Sequence, residues 1–414
     1  MSRLPAFICG IDWSEGLNDV AVISRDGAVV TRARIEESPQ GVTDLFRLLD
    51  GLRNSHTHGR RHVPIGIETA DGLLAATLRA RRQPVIHIPP HRIAAMRKSL
   101  SPVPRKSDRT DAEIIALAVR DGWGRLRPQP VDSPQATAIG VLIAAHDRTQ
   151  RTRLRLQAQL RSLLRQGHPH AVTAWTHLDH GLARPEARAV LAAAPNAATA
   201  AKLTQYRLTK ILAAAGRRRL VDAEAYRLRD LFTLPVLRLD PAVETAMAAQ
   251  ISAVLGLFDA ACHTEQHLRQ QIAAQLALHP QAAIYLSFPG CGTLLAARLL
   301  GEIGDDPTRF ATAKGLRGYA GLSPVTWASG SSKVILHRRV CNRRLKTACH
   351  QWAFSALTRS PGCRAVYDTR RAHGDTFPGA LRHVAGRLLA GLHHCLATGE
   401  LYDERAAFGG IAPP

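Results

Sequence analysis

Three short apolar runs open the chain, and their order constrains the fold more than any other feature. Residues 7–12, 19–24 and 28–35 have the composition of strands, and Arg25-Asp26-Gly27 supplies a turn between the second and third. An antiparallel meander is the simplest reading. A helical stretch over 40–52 follows, then a loop rich in His, Arg and Gly, a buried-type strand over 63–68, a helix over 72–82 and a fifth strand over 84–88. Three meandering strands followed by helix, strand, helix and strand predict a mixed sheet flanked by helices.

That element order is the one found in the ribonuclease-H-like fold. From residue 133 to about 280 the strand signals vanish and helical periodicity takes over. Leu156, Leu160, Leu163 and Leu164 recur on one face, opposite Arg148, Arg151, Arg155, Arg161 and Arg165. A solvated bundle helix is the ordinary meaning of such a stripe; a seat for a phosphate backbone is the functional one, with Arg151 and Arg155 as its candidates. The Ala-rich stretch 182–201 holds two prolines, which predicts a linker or short helices rather than one rod.

The last part begins with Phe288-Pro289-Gly290-Cys291-Gly292, which runs into an apolar helix over 293–303. A Pro-Gly turn with a second glycine leaves backbone N–H groups free at a helix start. This is how a helix-hairpin-helix element grips DNA backbone, and it makes Gly290 and Gly292 candidate phosphate contacts. Lys333, Arg338, Arg339, Arg343, Arg344 and Lys346 then form the densest basic patch. The chain therefore reads as α/β plus all-α. Its expected parts are a ribonuclease-H-like sheet domain over 1–130, a long-helix or coiled-coil spacer and dimerisation region over 131–280, and a mainly helical domain over 281–405.

Charge points to the partner. Among 414 residues, 55 Lys and Arg stand against 33 Asp and Glu, a formal net charge of +22, so a polyanion and first of all nucleic acid is expected. Only seven of the bases are lysine, an Arg preference that codon bias can produce, but codon bias does not explain the scarcity of carboxylates. With 45% hydrophobic residues the chain can bury proper cores, which excludes disorder. Seven cysteines without a CxxC pair exclude a zinc ribbon and a secreted disulfide framework. His56 with His58, and His393 with His394 and Cys395, lack the spacing of a structural zinc site. No apolar run is read as approaching the roughly 18–20 residues of a membrane span, and no leader pattern is visible, so a soluble cytoplasmic, nucleoid-associated bacterial protein is expected.

Four carboxylates carry chemistry. Asp12 ends the first strand and Glu68 the fourth, each after buried apolar residues, where an acid costs free energy unless a cation or a hydrogen-bonded turn compensates it. In a ribonuclease-H-like sheet these two strands are neighbours. Asp108 and Asp111 stand three apart at the start of a later helix and so share a face. Ordinary helix capping would explain Asp108 alone. The ordered set of four supplies the hard oxygen ligands that hold Mg²⁺ on a scissile phosphate.

The chain resembles the IS110-type insertion-sequence transposases, in particular their IS116/IS117/IS900 branch. The resemblance rests on Gly10-Ile11-Asp12-Trp13-Ser14, Ile67-Glu68-Thr69, Lys106-Ser107-Asp108-Arg109-Thr110-Asp111-Ala112 and Phe288-Pro289-Gly290-Cys291-Gly292. It extends to Gly321-Leu322-Ser323-Pro324 with Ala328-Ser329-Gly330, to the run from Arg338 to Lys346, and to Tyr367-Asp368. It implies a RuvC-like domain whose DEDD tetrad, here Asp12, Glu68, Asp108 and Asp111, binds Mg²⁺, and a C-terminal transposase domain with a serine nucleophile, which maps onto Ser329. Ala328 stands where many relatives have Ser or Thr, and Ser331 and Ser332 follow closely, so the register admits them too. The resemblance further implies donor and target DNA as substrates, strand exchange through a phosphoserine and a structured guide RNA encoded by the element. More than 200 residues separate Asp111 from Ser329, so two domains have to dock to assemble one site, and a homo-oligomer, dimer or tetramer, is expected. Two other readings stand beside it: a RuvC-like nuclease that only hydrolyses, and a nucleic-acid-binding protein without catalysis.

Overall fold

The computed structural model describes residues 3–52, 62–69, 72–100, 108–178, 180–329, 332–336 and 338–409. They form two compact units, Met1–Val131 and Asp132–Pro414.

The first unit is a five-stranded mixed sheet with helices on both faces. Its elements are β1 (Phe7–Asp12), β2 (Leu17–Ser24), β3 (Val29–Glu36), α1 (Pro39–Gly51), β4 (Ile65–Ile67), α2 (Leu73–Ala80), β5 (Val85–His87), α3 (Pro90–Leu100) and α4 (Asp108–Asp121). Strand order is β3-β2-β1-β4-β5. The meander β1–β2–β3 is antiparallel, while β4 and β5 add in parallel beside β1. β1 and β2 are buried almost throughout because both their faces are covered, whereas the edge strand β3 alternates and leaves Arg32 and Arg34 outward. One core, including Cys9, Ile11, Ile65 and Ile67, lies under α1 and α2. A second, including Ile8, Ile23, Ile86 and Ile115, lies under α3 and α4.

The second unit is helical apart from one hairpin. It comprises α5 (Pro134–Gly167), α6 (Pro169–Thr173), a 3₁₀ turn (Gly181–Ala183), α7 (Pro185–Ala193), α8 (Ala197–Ala201), α9 (Gln205–Ala214), α10 (Val221–Thr233) and α11 (Pro241–Ala277). Then follow α12 (Ala282–Ser287), α13 (Thr293–Ile303), α14 (Ala313–Tyr319), the hairpin β6 (Val325–Ser329) and β7 (Ser332–Leu336), α15 (Arg343–Ala356), α16 (Pro361–Ala372), α17 (Phe377–Thr398) and α18 (Glu404–Phe408). The Ala-rich stretch is a set of short helices, as its prolines predict, since proline is tolerated only in a first helical turn.

α5 and α11 run antiparallel, as their contacts show. Gly167 approaches Met247 and Ile251, Arg153 pairs with Glu265, and His146 meets Arg269. Their outer halves bury Leu160, Leu164, Ile251 and Phe258 with α6–α10, and their inner halves bury Ile139, Ile143, Ile272 and Leu276 with α12–α18. The leucine face read from sequence is thus the buried one, and Arg148, Arg151, Arg155, Arg161 and Arg165 are exposed. One correction concerns apolar length. α11 is long and apolar enough to cross a membrane by length and composition, although Gln, Thr and His break it into no continuous run. It carries buried Glu244 and Glu265, paired with Arg238 and Arg153, as a helix of a bundle does.

Candidate active site and nucleic-acid interface

Two glycines set the geometry of the acidic site. A Cβ on Gly10 would stand 2.0 Å from the Ala112 carbonyl oxygen, and one on Gly66 would stand 2.7 Å from side-chain atoms of Ile115 and Val119. α4 therefore lies flush on β1 and β4. Side chains two apart on a strand share a face, so Asp12, two beyond Gly10 in β1, belongs to the face that α4 covers, while Glu68 follows directly after the last residue of β4. β1 and β4 pair in parallel through Gly10 with Gly66 and Ile11 with Ile67, so Asp12 and Glu68 each follow the last pair of the ladder, at the same end of the sheet.

α4 runs against β1. Arg120, near its C-terminal end, donates to the Asp26 carbonyl oxygen at 3.0 Å, in the turn beside the start of β1. Its N-terminal end, with Asp108 and Asp111, consequently lies towards Asp12 and Glu68. Asp12 and Asp111 are almost buried, at 8% and 4% exposure, and Glu68 is half-buried. The backbone of Asp108 begins α4, while its side chain lies outside the described residues.

Side chains that the sequence did not single out complete the surroundings. Arg97 of α3 donates to Asp111 Oδ1 from Nε at 2.9 Å and from Nη2 at 2.6 Å. Asp19 stands directly opposite Asp12 across the β1–β2 ladder, 7% exposed, and Arg34 binds both its oxygens at 3.2 Å. Trp13 Nε1 donates to Glu37, which also accepts from the Leu74 N–H and so ties the end of β1 to the start of α2. Their signal is register and tertiary approach, which no single-sequence motif carries.

These residues fit a hard divalent cation. Both donors of Arg97 go to Oδ1 of Asp111, so among the described residues Oδ2 receives no hydrogen bond. Mg²⁺ characteristically binds one or two carboxylates and completes its shell with water and substrate phosphate. Among the described residues no three of His, Cys, Asp and Glu form a cage by themselves.

The basic elements lie in the second unit. The turn at Gly290 opens α13 as the sequence predicts. Gly290 has φ +72°, and a Cβ there would meet the Ala356 nitrogen at 2.8 Å, so α15 closes over it. Gly292 faces open space and leaves the N-terminus of α13 without a side-chain cap. It borders a cavity of about 560 Å³ shared with Arg298, Gln351 and Phe354. Ser329 pairs with Ser332 as the last pair of the β6–β7 hairpin, and the side chains of Ser329 and Lys333, like all of Ser331, lie outside the described residues. Arg338 is half-buried, and Arg339, Arg343 and Arg344 are exposed, the last facing Glu302 at 3.4 Å. Arg343, Arg344 and Lys346 crowd the first turn and a half of α15, which carries no acid of its own and meets Glu302 through Arg344 and the cap Asn342. Cations are unfavourable beside a helix N-terminus, so this end is built to meet an anion.

A family model for the DEDD transposase of IS110 matches residues 9–169, and one for the IS116/IS110/IS902 transposase family matches 282–368. The chain is 42% identical over 400 residues to the mini-circle protein for IS117 from Streptomyces coelicolor, covering 97% of this chain and 96% of that one. It belongs to the IS110 family of transposases. The 43.6 kDa protein of insertion element IS110, also from Streptomyces coelicolor, is 31% identical over 336 residues, 76% of this chain and 77% of the relative. The 42 kDa protein of insertion element IS900 from Mycobacterium paratuberculosis is 39% identical over 112 residues, 27% of this chain and 28% of that protein. The IS110-family model spans the whole acidic site, from before Asp12 to beyond Asp111. The mixed α/β sheet with a mostly helical remainder is the fold expected from sequence. As a transposase the chain is a DNA-modifying enzyme.

Proposed function

We propose that this transposase cleaves, exchanges and rejoins DNA strands in a Mg²⁺-dependent reaction through a covalent phosphoserine at Ser329. What supports the reading is the place of buried Asp12 at the end of β1, of buried Asp111 in the first turn of α4, which lies on that strand, and of Glu68 directly after β4, in an IS110-family chain. Asp12, Glu68, Asp108 and Asp111 are the residues that would hold the metal, which when bound neutralises phosphate oxygens and lowers the barrier to displacement at phosphorus. The Ser329 Oγ attacks the phosphate, the Oγ–P bond forms as the bridging P–O bond breaks, and the serine proton ends on the departing sugar hydroxyl. A second strand's hydroxyl then attacks the phosphoserine and returns the proton to Oγ, so the bond is conserved without an external energy source.

The same reading includes an element-encoded structured RNA that guides donor and target choice, supported by a net charge of +22 and by exposed Arg151 and Arg155. It includes a dimer or tetramer as well, supported by apolar side chains left outward on the long helices, among them Val141 and Leu257, 63% and 62% exposed.

The test is a denaturing-gel search for a protein–DNA adduct with the full chain, donor and target DNA, Mg²⁺ and the flanking noncoding RNA. An adduct formed by wild type and lost in Ser329→Ala and Asp12→Ala supports the reading. Cleavage without an adduct, unchanged in Ser329→Ala, would establish a hydrolytic nuclease instead.

A further inference from the structure

We infer that a cleft at the base of the β6–β7 hairpin is a binding site for one unpaired nucleotide of the substrate strand. The inference rests on the nucleic-acid reading above but not on the identity of the nucleophile. The cleft has a volume of about 860 Å³, ample for a nucleotide, and its walls include Lys314, Tyr319, Arg338 and Asn342.

Its floor is built for close approach. Gly315 and Gly318 line the cleft on α14; a Cβ on Gly318 would meet nothing within 4 Å, and one on Gly315 would meet only Thr312 Oγ1 at 3.5 Å. Two glycines in a seven-residue helix cost about 1 kcal/mol each relative to alanine. Neither is required by packing, so the space above them is what they provide.

Its wall is a fixed aromatic ring. Tyr319 is 41% exposed, yet Phe310 packs on it at 5.2 Å between ring centroids and Asn342 Nδ2 donates to its hydroxyl at 3.0 Å. Asn342 is itself held by Glu302 at 2.8 Å and by its role as the cap of α15. An exposed ring braced on two sides is a stacking platform, and base stacking tolerates any base.

The charge fits a phosphodiester. Lys314 is exposed at the rim, and the buried Arg338 Nε finds no acceptor among the described residues. A phosphate oxygen supplies that acceptor. The five residues of β6 separate the cleft from Ser329 by about 16 Å, so the bound nucleotide lies a few steps along the strand from the proposed point of attack.

The test uses the full chain and a short single-stranded DNA carrying 2-aminopurine at one position, with an RNA of the same sequence and a DNA duplex as further arms. Stacking on Tyr319 quenches the fluorophore at one position. Tyr319→Ala is expected to abolish the quenching and weaken single-strand binding about tenfold or more, while Tyr319→Phe retains both. Gly318→Leu fills the floor, keeps the helix and is expected to weaken binding with unchanged or raised Tm. Quenching with the single-stranded DNA and weaker binding of the RNA and duplex arms are expected, and a preference for the RNA or the duplex would overturn the assignment to an unpaired substrate strand. Equal quenching in Tyr319→Ala, or undiminished binding by Gly318→Leu, would overturn the site. Quenching intact in a wild-type chain that forms no adduct, or an adduct that persists in Ser329→Ala, would instead sink the serine reading and leave the cleft standing.

Discussion

Arg97 and Asp111 form a two-donor ion pair, at 2.9 and 2.6 Å, in which one guanidinium claims a single oxygen of a nearly buried carboxylate. A divalent cation on Asp111 has to share that carboxylate with Arg97 or displace it. Arg97→Ala is therefore expected to bind Mg²⁺ or Mn²⁺ several-fold more tightly in calorimetric titration. The same change leaves Asp111 without its cation and is expected to cost about 1–3 kcal/mol of stability, less than the roughly 3–5 kcal/mol of a fully buried pair because Arg97 is partly exposed. Unchanged metal affinity would show that the pair and the metal do not compete.

The contact between α4 and the sheet gives a second prediction. Gly10→Ala places a methyl 2.0 Å from the Ala112 carbonyl oxygen, a backbone atom that cannot rotate away. The helix must lift, carrying Asp111 with it, and overpacking of this kind costs about 3 kcal/mol or more. A fall in Tm on the order of 10 °C and loss of DNA cleavage are expected together. Gly51→Ala, at the end of α1 with open space around its Cα, is the control and is expected to raise stability by about 0.5–1 kcal/mol. Equal Tm for the two variants would refute the steric argument.

Acid sensitivity follows from one buried imidazole. His168 is fully buried beside Phe232, and burial, with His170 adding repulsion, pushes it down to about 4. The unfolded chain takes up this proton near 6.5. Below that pH the unfolded state binds a proton that the folded state refuses, so stability present above about 6.5 is lost as pH falls towards 4. Wild type is expected to lose about 3 kcal/mol more than His168→Phe between pH 7 and pH 4 in denaturant titrations. Parallel pH profiles would rule His168 out as the cause.

The sheet was legible where strands are short, apolar and punctuated. β1 spans the residues that Phe7, Ile8 and Ile11 announce, and the turn at Asp26-Gly27 fixes the next two strands. β2 begins two residues before its sequence signal because Leu17 and Asn18 extend the pairing opposite β3 without looking strand-like. β4 is shorter than its apolar run, since Pro64 has no N–H to donate to the ladder. That Asp12 ends β1, beside the strand that Glu68 follows, could be read from element order alone. Arg97 and Asp19 could not. Arg97 lies fourteen positions from Asp111 in a basic helix with no motif, and Asp19 meets Asp12 only through the register of the ladder.

The first turn of α15 separates binding from folding. Arg343 is exposed there beside Arg344 with no acid in the turn, so the helix dipole opposes it by about 0.3–1 kcal/mol. A residue that costs stability without packing inward is useful only against an anion. Arg343→Ala is expected to leave Tm unchanged or slightly raised, to weaken DNA binding across sequences, and to reduce the slope of log affinity against log salt by about one. Double substitution with Arg344→Ala should extend the loss, but with a smaller gain in stability, because Arg344 also faces Glu302. A drop in Tm with an unchanged salt slope would mean that these arginines hold the fold and do not touch phosphate.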